Sequence, residues 1–197
     1  MDETDDDSDL ELDEDQAAAF TAIRKLGEVV VRLPWFGRIG QPFDRGDEEV
    51  ARRYLDMLGF PDAAPLTVAD WEEAADAASN LDLNSEAWEV EEQLRADLSR
   101  EALNYFDEDT LTHVLSYVTE RAGPVLVESI ASAASLWPVQ EDEVIEAATG
   151  AAVQACYQAA LVLAAQAVEE HPFALRFRLF EMGRWPIGLS GRSYNVF

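Results

Sequence analysis

Lysine and cysteine each occur once in this 197-residue chain, at Lys25 and Cys156, and histidine occurs twice, at His113 and His171. A lone cysteine excludes an internal disulfide, which fits a reducing compartment and predicts a cytoplasmic protein. The histidines form neither Glu-x-x-His nor His-x-x-x-His, so a zinc or di-iron site on helices lacks its usual ligands. No cofactor and no metal are therefore expected. Gly-x-Ser-x-Gly and both phosphate-loop patterns are missing, and with them the common homes of nucleophilic and phosphoryl chemistry. Basic residues are scarce: 14 Lys plus Arg face 40 Asp plus Glu, a formal charge of -26. That balance argues against nucleic acid as a partner, since phosphate binding needs a basic surface.

Residues 1–7 carry no basic n-region and no apolar h-region, so no secretory signal is expected. The longest apolar stretch without charge, Gly150 to Val168, holds Gln154, Gln158 and Gln166 among its alanines. Alanine drives insertion weakly and three amides at bilayer depth are costly, so this stretch reads as a buried bundle helix, not a membrane span.

What the chain does contain is apolar content of 48%, enough for a sizeable core, and a length typical of one domain. Thirteen of its 14 bases are arginine and 30 residues are alanine. GC-rich codon use explains that better than salt adaptation, since Glu outnumbers Asp by 22 to 18.

Charge is distributed in blocks. Residues 1–23 carry ten acids and no base, and residues 54–170 carry 24 acids and three bases. Residues 24–53 hold seven bases against five acids, and residues 171–197 hold four against one. Such asymmetry can mark an interaction surface, or only offset a very acidic neighbour.

Residues 1–15 read as a disordered acidic tail and residues 16–197 as one helical domain. Phe20, Ile23, Leu26 and Val30 recur at helical spacing from Gln16 towards Leu33. Asp47 to Leu58 forms a second helix closed by Gly59. Thr67 with Asp70 resembles a capping box that opens a helix reaching about Ser79. Asn84 or Ser85 caps a helix to about Phe106, with Trp88, Leu94, Leu98 and Leu103 inward and Glu89, Glu91, Glu92 and Glu101 wet. Asp109 caps the next, which Gly123 stops; Pro124 opens another, ending near Trp137-Pro138. Glu141 to about Glu170 is the long Ala-rich central helix, bent at Gly150. Pro172 to Met182 alternates like a strand, yet Pro at its start and Gly183 at its end favour a helix. Ile187, Leu189, Tyr194 and Val196 flank Ser190-Gly191 as a hairpin would. The expected fold is all-α, a single-domain bundle around that central helix with a small C-terminal β-hairpin.

Several motifs fail on chemistry. Asp5-Asp6-Asp7-Ser8-Asp9 matches the magnesium pattern DDxxD, but a low-complexity tail fixes no geometry, and it lacks the glycine and glutamate of a calcium loop. Asp109 and His113 share a helix face, as a cap residue beside a surface histidine would. Cys156 has no activating neighbour and reads as a small core hydrophobe.

One constellation remains. Residues 34–42 and 183–192 share aromatic, arginine, glycine and proline residues, including Trp35, Arg38, Arg184, Trp185 and Arg192. If the two loops meet they either form a basic, aromatic concavity that grips an anion or small ligand, or cap the end of the bundle. The leading expectation is a small acidic cytoplasmic interaction protein, of inhibitor or immunity type, whose acidic face at Glu89, Glu91 and Glu92 captures a basic protein partner. The alternative is a ligand- or anion-binding bundle built on the arginine and tryptophan loops.

Overall fold

A computed structural model describes residues 14–136 and 142–197, which form seven α-helices and three short strands. The Asp5–Asp9 motif and the helix end expected at Trp137-Pro138 lie outside the described residues. The fold is the helical bundle that the periodicity predicts, with one strand that it does not.

Helix α1 (Glu14–Val29) begins two residues earlier than the tail boundary implies, and passes into a 3-10 turn at Val30–Arg32. Helix α2 (Arg45–Leu58) opens on a reciprocal capping box: Asp44 accepts the Asp47 N–H, and Asp47 accepts the Asp44 N–H. Gly59 closes it in the left-handed conformation. Strand β1 (Ala64–Thr67) follows where a helix start was expected, so Thr67 caps nothing. The true cap of α3 (Trp71–Ser79) is Asp70, which accepts the Glu73 N–H, while Glu73 reaches back to the Ala69 N–H. Ser85 caps α4 (Glu86–Ala102), which ends before Phe106 and leaves Leu103 exposed.

Helix α5 (Glu108–Ser135) overturns the expected break at Gly123-Pro124, and its cap is Asp107 rather than Asp109. Proline inside a helix removes one hydrogen bond and crowds the carbonyl four residues back, at about 3 kcal/mol. Against this, Val118, Ala122, Leu126 and Ile130 continue one buried stripe across the site, while Pro124 faces solvent. Burying a large aliphatic side chain contributes roughly 1.5–3 kcal/mol, so continuing the stripe wins.

Helix α6 (Asp142–Ala164) is continuous through Gly150 and is the central element, touching α1, α3, α4, α5 and α7. It is long and apolar enough to cross a membrane, but 56% of its most apolar window is buried inside the fold. It stops short of the expected Glu170, with Gln166 in a left-handed conformation just beyond its end. Of its odd glutamines only Gln158 is buried; Gln166 is exposed and donates to the Asp15 carbonyl. Burial pushes the Cys156 thiol up to about 12, which keeps it a neutral core group.

Helix α7 (Pro172–Glu181) settles the strand-or-helix ambiguity in favour of helix. Strands β2 (Pro186–Ser190) and β3 (Ser193–Val196) form the expected antiparallel hairpin, turning at Gly191-Arg192 rather than Ser190-Gly191. Strand β1 then pairs parallel to β3, giving the order β1-β3-β2. A second buried cluster fills the space beneath this sheet, with Tyr54 and Leu55 from α2, Leu175 and Leu179 from α7, and Tyr194 and Val196 from β3.

The α7 start carries a pH dependence. His171 Nδ1 accepts the Phe173 N–H at 3.2 Å, and partial burial holds the imidazole below its usual pKa. The native state therefore binds a proton less readily than the unfolded chain, whose histidine titrates near ~6.5. His171 thus contributes stability that is present above about pH 6.5 and is lost as pH falls towards its lower native value. Urea midpoints measured at about pH 7.5 and pH 5.5 should show this loss in the wild type, and a smaller one in His171→Asn, whose amide caps without titrating.

Candidate functional site

The loop after the 3-10 turn and the loop after α7 do meet. Arg38 N–H donates to the Gly183 carbonyl at 3.0 Å, and Arg184 reaches across into the first loop. Its Nη1 donates to the carbonyls of Arg38 (2.6 Å) and Gln41, and its Nη2 to the Pro42 carbonyl (2.8 Å) and Asp47 Oδ2 (2.6 Å). Arg184 and Asp47 side chains are both fully buried. Asp47 also accepts from Arg38 at 3.2 and 3.0 Å. The backbone N–H of Asp47, helped by Arg38, holds the Asp44 carboxyl below its ordinary range. Gly183 has φ +82, and a Cβ there would lie 3.0 Å from the Pro34 carbonyl oxygen, so only glycine suits this crossing.

These contacts place three predicted binding residues inside the protein. Trp35 is buried between Phe177 and Phe180 and donates its indole N–H to the Val30 carbonyl at 2.7 Å. Trp185 is buried against Trp71 and Phe197. Arg184 offers no charge to a ligand, because its ends are satisfied by Asp47 and three carbonyls. The juxtaposition predicted from sequence is real, but it makes an internal clamp rather than a basic concavity. Arg38 is partly exposed at the clamp's edge. Arg192 sits apart in the hairpin turn, exposed, donating to the Asp62 carbonyl at 3.3 Å.

The three glutamates on α4 also separate. Glu89 is exposed, and Glu92 pairs with Arg95 one turn on. That pairing lowers the Glu92 carboxyl below its usual range and raises Arg95. Glu91, expected on the wet face, is instead largely buried: it accepts from Arg176 Nη1 at 2.9 Å and from the Tyr54 hydroxyl. Tyr54 stacks on Tyr194 with ring centroids 4.7 Å apart. Burial raises both phenols, Glu91 adding to the effect on Tyr54. Burial disfavours the Arg176 charge, but Glu91 together with Tyr54 and Tyr194 outweighs it and keeps the guanidinium protonated. No ion pair joins Asp109 to His113, which is exposed on α5.

The concentrated free charge lies elsewhere. Helix α3, β1 and the hairpin enclose an open groove of about 1110 Å³. Asp70, Glu72, Glu73 and Asp76 line it with no base among the lining residues. Asp70 and Glu73 are spent on the α3 cap, whereas Glu72 and Asp76 are exposed on the helix, four residues apart. Beside them Leu66 of β1 is exposed at 52%, an apolar contact within the acidic rim. Strand β1 is an edge, and Pro65 removes one of its donors, which blunts it as a template for strand addition. Sequence reasoning missed this groove because it read Thr67 as the cap of a helix and no strand before it; without β1 there is no wall opposite α3. No group of histidines, cysteines and carboxylates among the described residues has the arrangement of a metal site.

Compared with known proteins, the chain matches no family model, and no curated protein or solved structure shows significant similarity to it.

Proposed function

We propose that the protein is a small acidic interaction protein that captures a basic protein partner in the α3–sheet groove. The observation that carries this reading is the groove itself, a concavity with four carboxylates, no lining base and an exposed leucine. The chain's net charge of -26 supports it, because a field of one sign accelerates encounter with a cationic partner and rejects anionic ones, nucleic acid and acidic membrane surfaces among them. The capturing residues are Glu72 and Asp76, with Glu89 contributing to the wider field. Glu91 and Glu92 take a smaller part, since each already has an arginine partner. The reading based on the arginine and tryptophan loops loses its support, because Trp35, Arg184 and Trp185 are buried, Arg38 is engaged by Asp44 and Asp47, and Arg192 lies apart in the hairpin turn.

The test compares immobilised wild type, a Glu72→Lys/Asp76→Lys variant and a chain beginning at Glu14, each washed through a salt series. A basic protein held saturably by the wild type and the shortened chain should be released by salt, and should bind the reversed variant ~10-fold or more weakly. Equal capture by wild type and variant, or capture lost with residues 1–13 alone, would exclude the groove as the binding element.

A further inference from the structure

A second concavity is chemically distinct from the acidic groove. Between α4, α6 and β2 lies a cleft of about 250 Å³. Its walls are apolar, supplied chiefly by Leu81, Trp88, Trp185, Ile187 and Leu189. Close approach on one side depends on Gly188, where a Cβ would come within 2.7 Å of the Leu81 side chain. On another side Gly150 of α6 leaves space open, since a Cβ there would meet nothing within 4 Å.

Asp82, Ser85, Glu91, Gln154 and Arg176 interrupt this apolar lining; Asp82 and Ser85 accept the backbone N–H groups of Asn84 and Trp88, and Glu91 is paired with Arg176. Arg176 is only 9% exposed, lines the cleft, and finds one acceptor among the described residues, Glu91, through Nη1. A guanidinium carries five N–H donors, so most of those on Arg176 have no protein acceptor among the described residues, in a side chain that lines the cleft. Gln154 of α6 lines the same cleft, half-buried, and its amide makes no hydrogen bond among the described residues. A nine-tenths-buried arginine short of acceptors and a free amide, facing an apolar cleft, together call for an occupant with oxygen to offer.

The charge balance selects the class of occupant. Glu91 already neutralises Arg176, and Glu91 is itself satisfied by Tyr54. An added carboxylate would enter a largely apolar site already lined by Glu91 and Asp82, with no unbalanced cation to meet it, whereas a neutral carbonyl accepts from Arg176 without that penalty. The volume is just below the ~300–1,000 Å³ of sites for drug-sized ligands, so a single ring and its substituent is the right scale. We propose that this cleft is a binding site for a small uncharged molecule, a ring-sized apolar body bearing an amide or similar carbonyl. The carbonyl accepts from Arg176, the amide N–H donates to Gln154, and the ring lies against Trp88 and Trp185. This site is independent of the basic-partner reading and neither requires nor excludes it.

The experiment is a titration of the full chain with benzamide, followed through the indole N–H resonances. Trp88 and Trp185 line the cleft, whereas Trp35 and Trp71 do not. Benzamide at millimolar concentration should shift the first two saturably and leave the second two in place. Gln154→Leu and Gly150→Leu, which leave the Arg176–Glu91 pair untouched, should each weaken binding several-fold, the first by removing the amide and the second by narrowing the mouth. Benzoate, the same size but charged, should bind about tenfold more weakly. No saturable shift, a shift equal in both variants, or benzoate binding as well as benzamide would overturn the proposal.

Discussion

Arg184→Met is expected to lower the stability of the protein by about 3–5 kcal/mol, the range for breaking a buried ion pair from one side. At ~2–4 °C per kcal/mol for a protein of this size, the melting temperature should fall by roughly 6–20 °C. The reason is the number of groups that this one side chain satisfies: the Arg38, Gln41 and Pro42 carbonyls and the Asp47 carboxylate all accept from it. Methionine fills much of the volume but donates to none of them. Arg38 stays in contact with Asp47, so the carboxylate is not wholly abandoned, and the carbonyls bear the larger part of the loss. Arg38→Met, which removes only the half-exposed member, should cost about 1 kcal/mol. Thermal and urea unfolding of the two variants checks the order, and an Arg184→Met loss below about 1 kcal/mol would show that the clamp does not hold the loops.

The clamp also shows what the sequence made legible. Glycine, proline, aromatic and arginine residues in 34–42 and 183–192 marked two loops of shared chemistry, and they do meet. Whether an arginine there faces solvent or the core depends on a buried acceptor, and Asp47 gave no sign of being one. Its place was nevertheless readable locally: Asp44 and Asp47, three residues apart before an apolar-periodic run, have the spacing of the capping box that the structure contains. Periodicity placed α1, α2 and α4, because an amphipathic stripe is a local signal, whereas α3 was read from its cap and α7, which alternates like a strand, from Pro172 and Gly183. It failed at Pro124, where the Val118-to-Ile130 stripe packed on α6 overrode a local breaker. It failed again at β1, four residues whose only reason to be a strand is β3, more than 120 residues later. Glu91 and Arg176 are 85 residues apart and belong to helices whose contact no local pattern announces. The acidic groove and the apolar cleft both depend on such distant pairings.

Glu91→Ala should be nearly as damaging as the loss of Arg184. It leaves Arg176 charged and buried without a counter-ion, at about 3–5 kcal/mol, and removes the acceptor of the Tyr54 hydroxyl. Two further variants separate charge from packing. Glu91→Gln keeps an acceptor for Tyr54 and Arg176 but not the charge, and should fall between wild type and alanine. Glu91→Leu with Arg176→Met removes both charges, and should recover most of the loss, because a well-packed apolar pair does as well as a buried ion pair. A double variant no more stable than Glu91→Ala would mean that packing and hydrogen bonding, not charge balance, hold α4 to α7. Glu89→Lys, on the exposed side of the same helix, should change stability by no more than about 0.5 kcal/mol. The contrast bears directly on function. Reversing Glu89, Glu91 and Glu92 together would abolish binding by unfolding the α4–α7 contact, whatever surface the partner uses. A charge-reversal result therefore reports on recognition only when it comes from Glu89, or from Glu72 and Asp76 in the groove, in a variant whose unfolding midpoint matches that of the wild type.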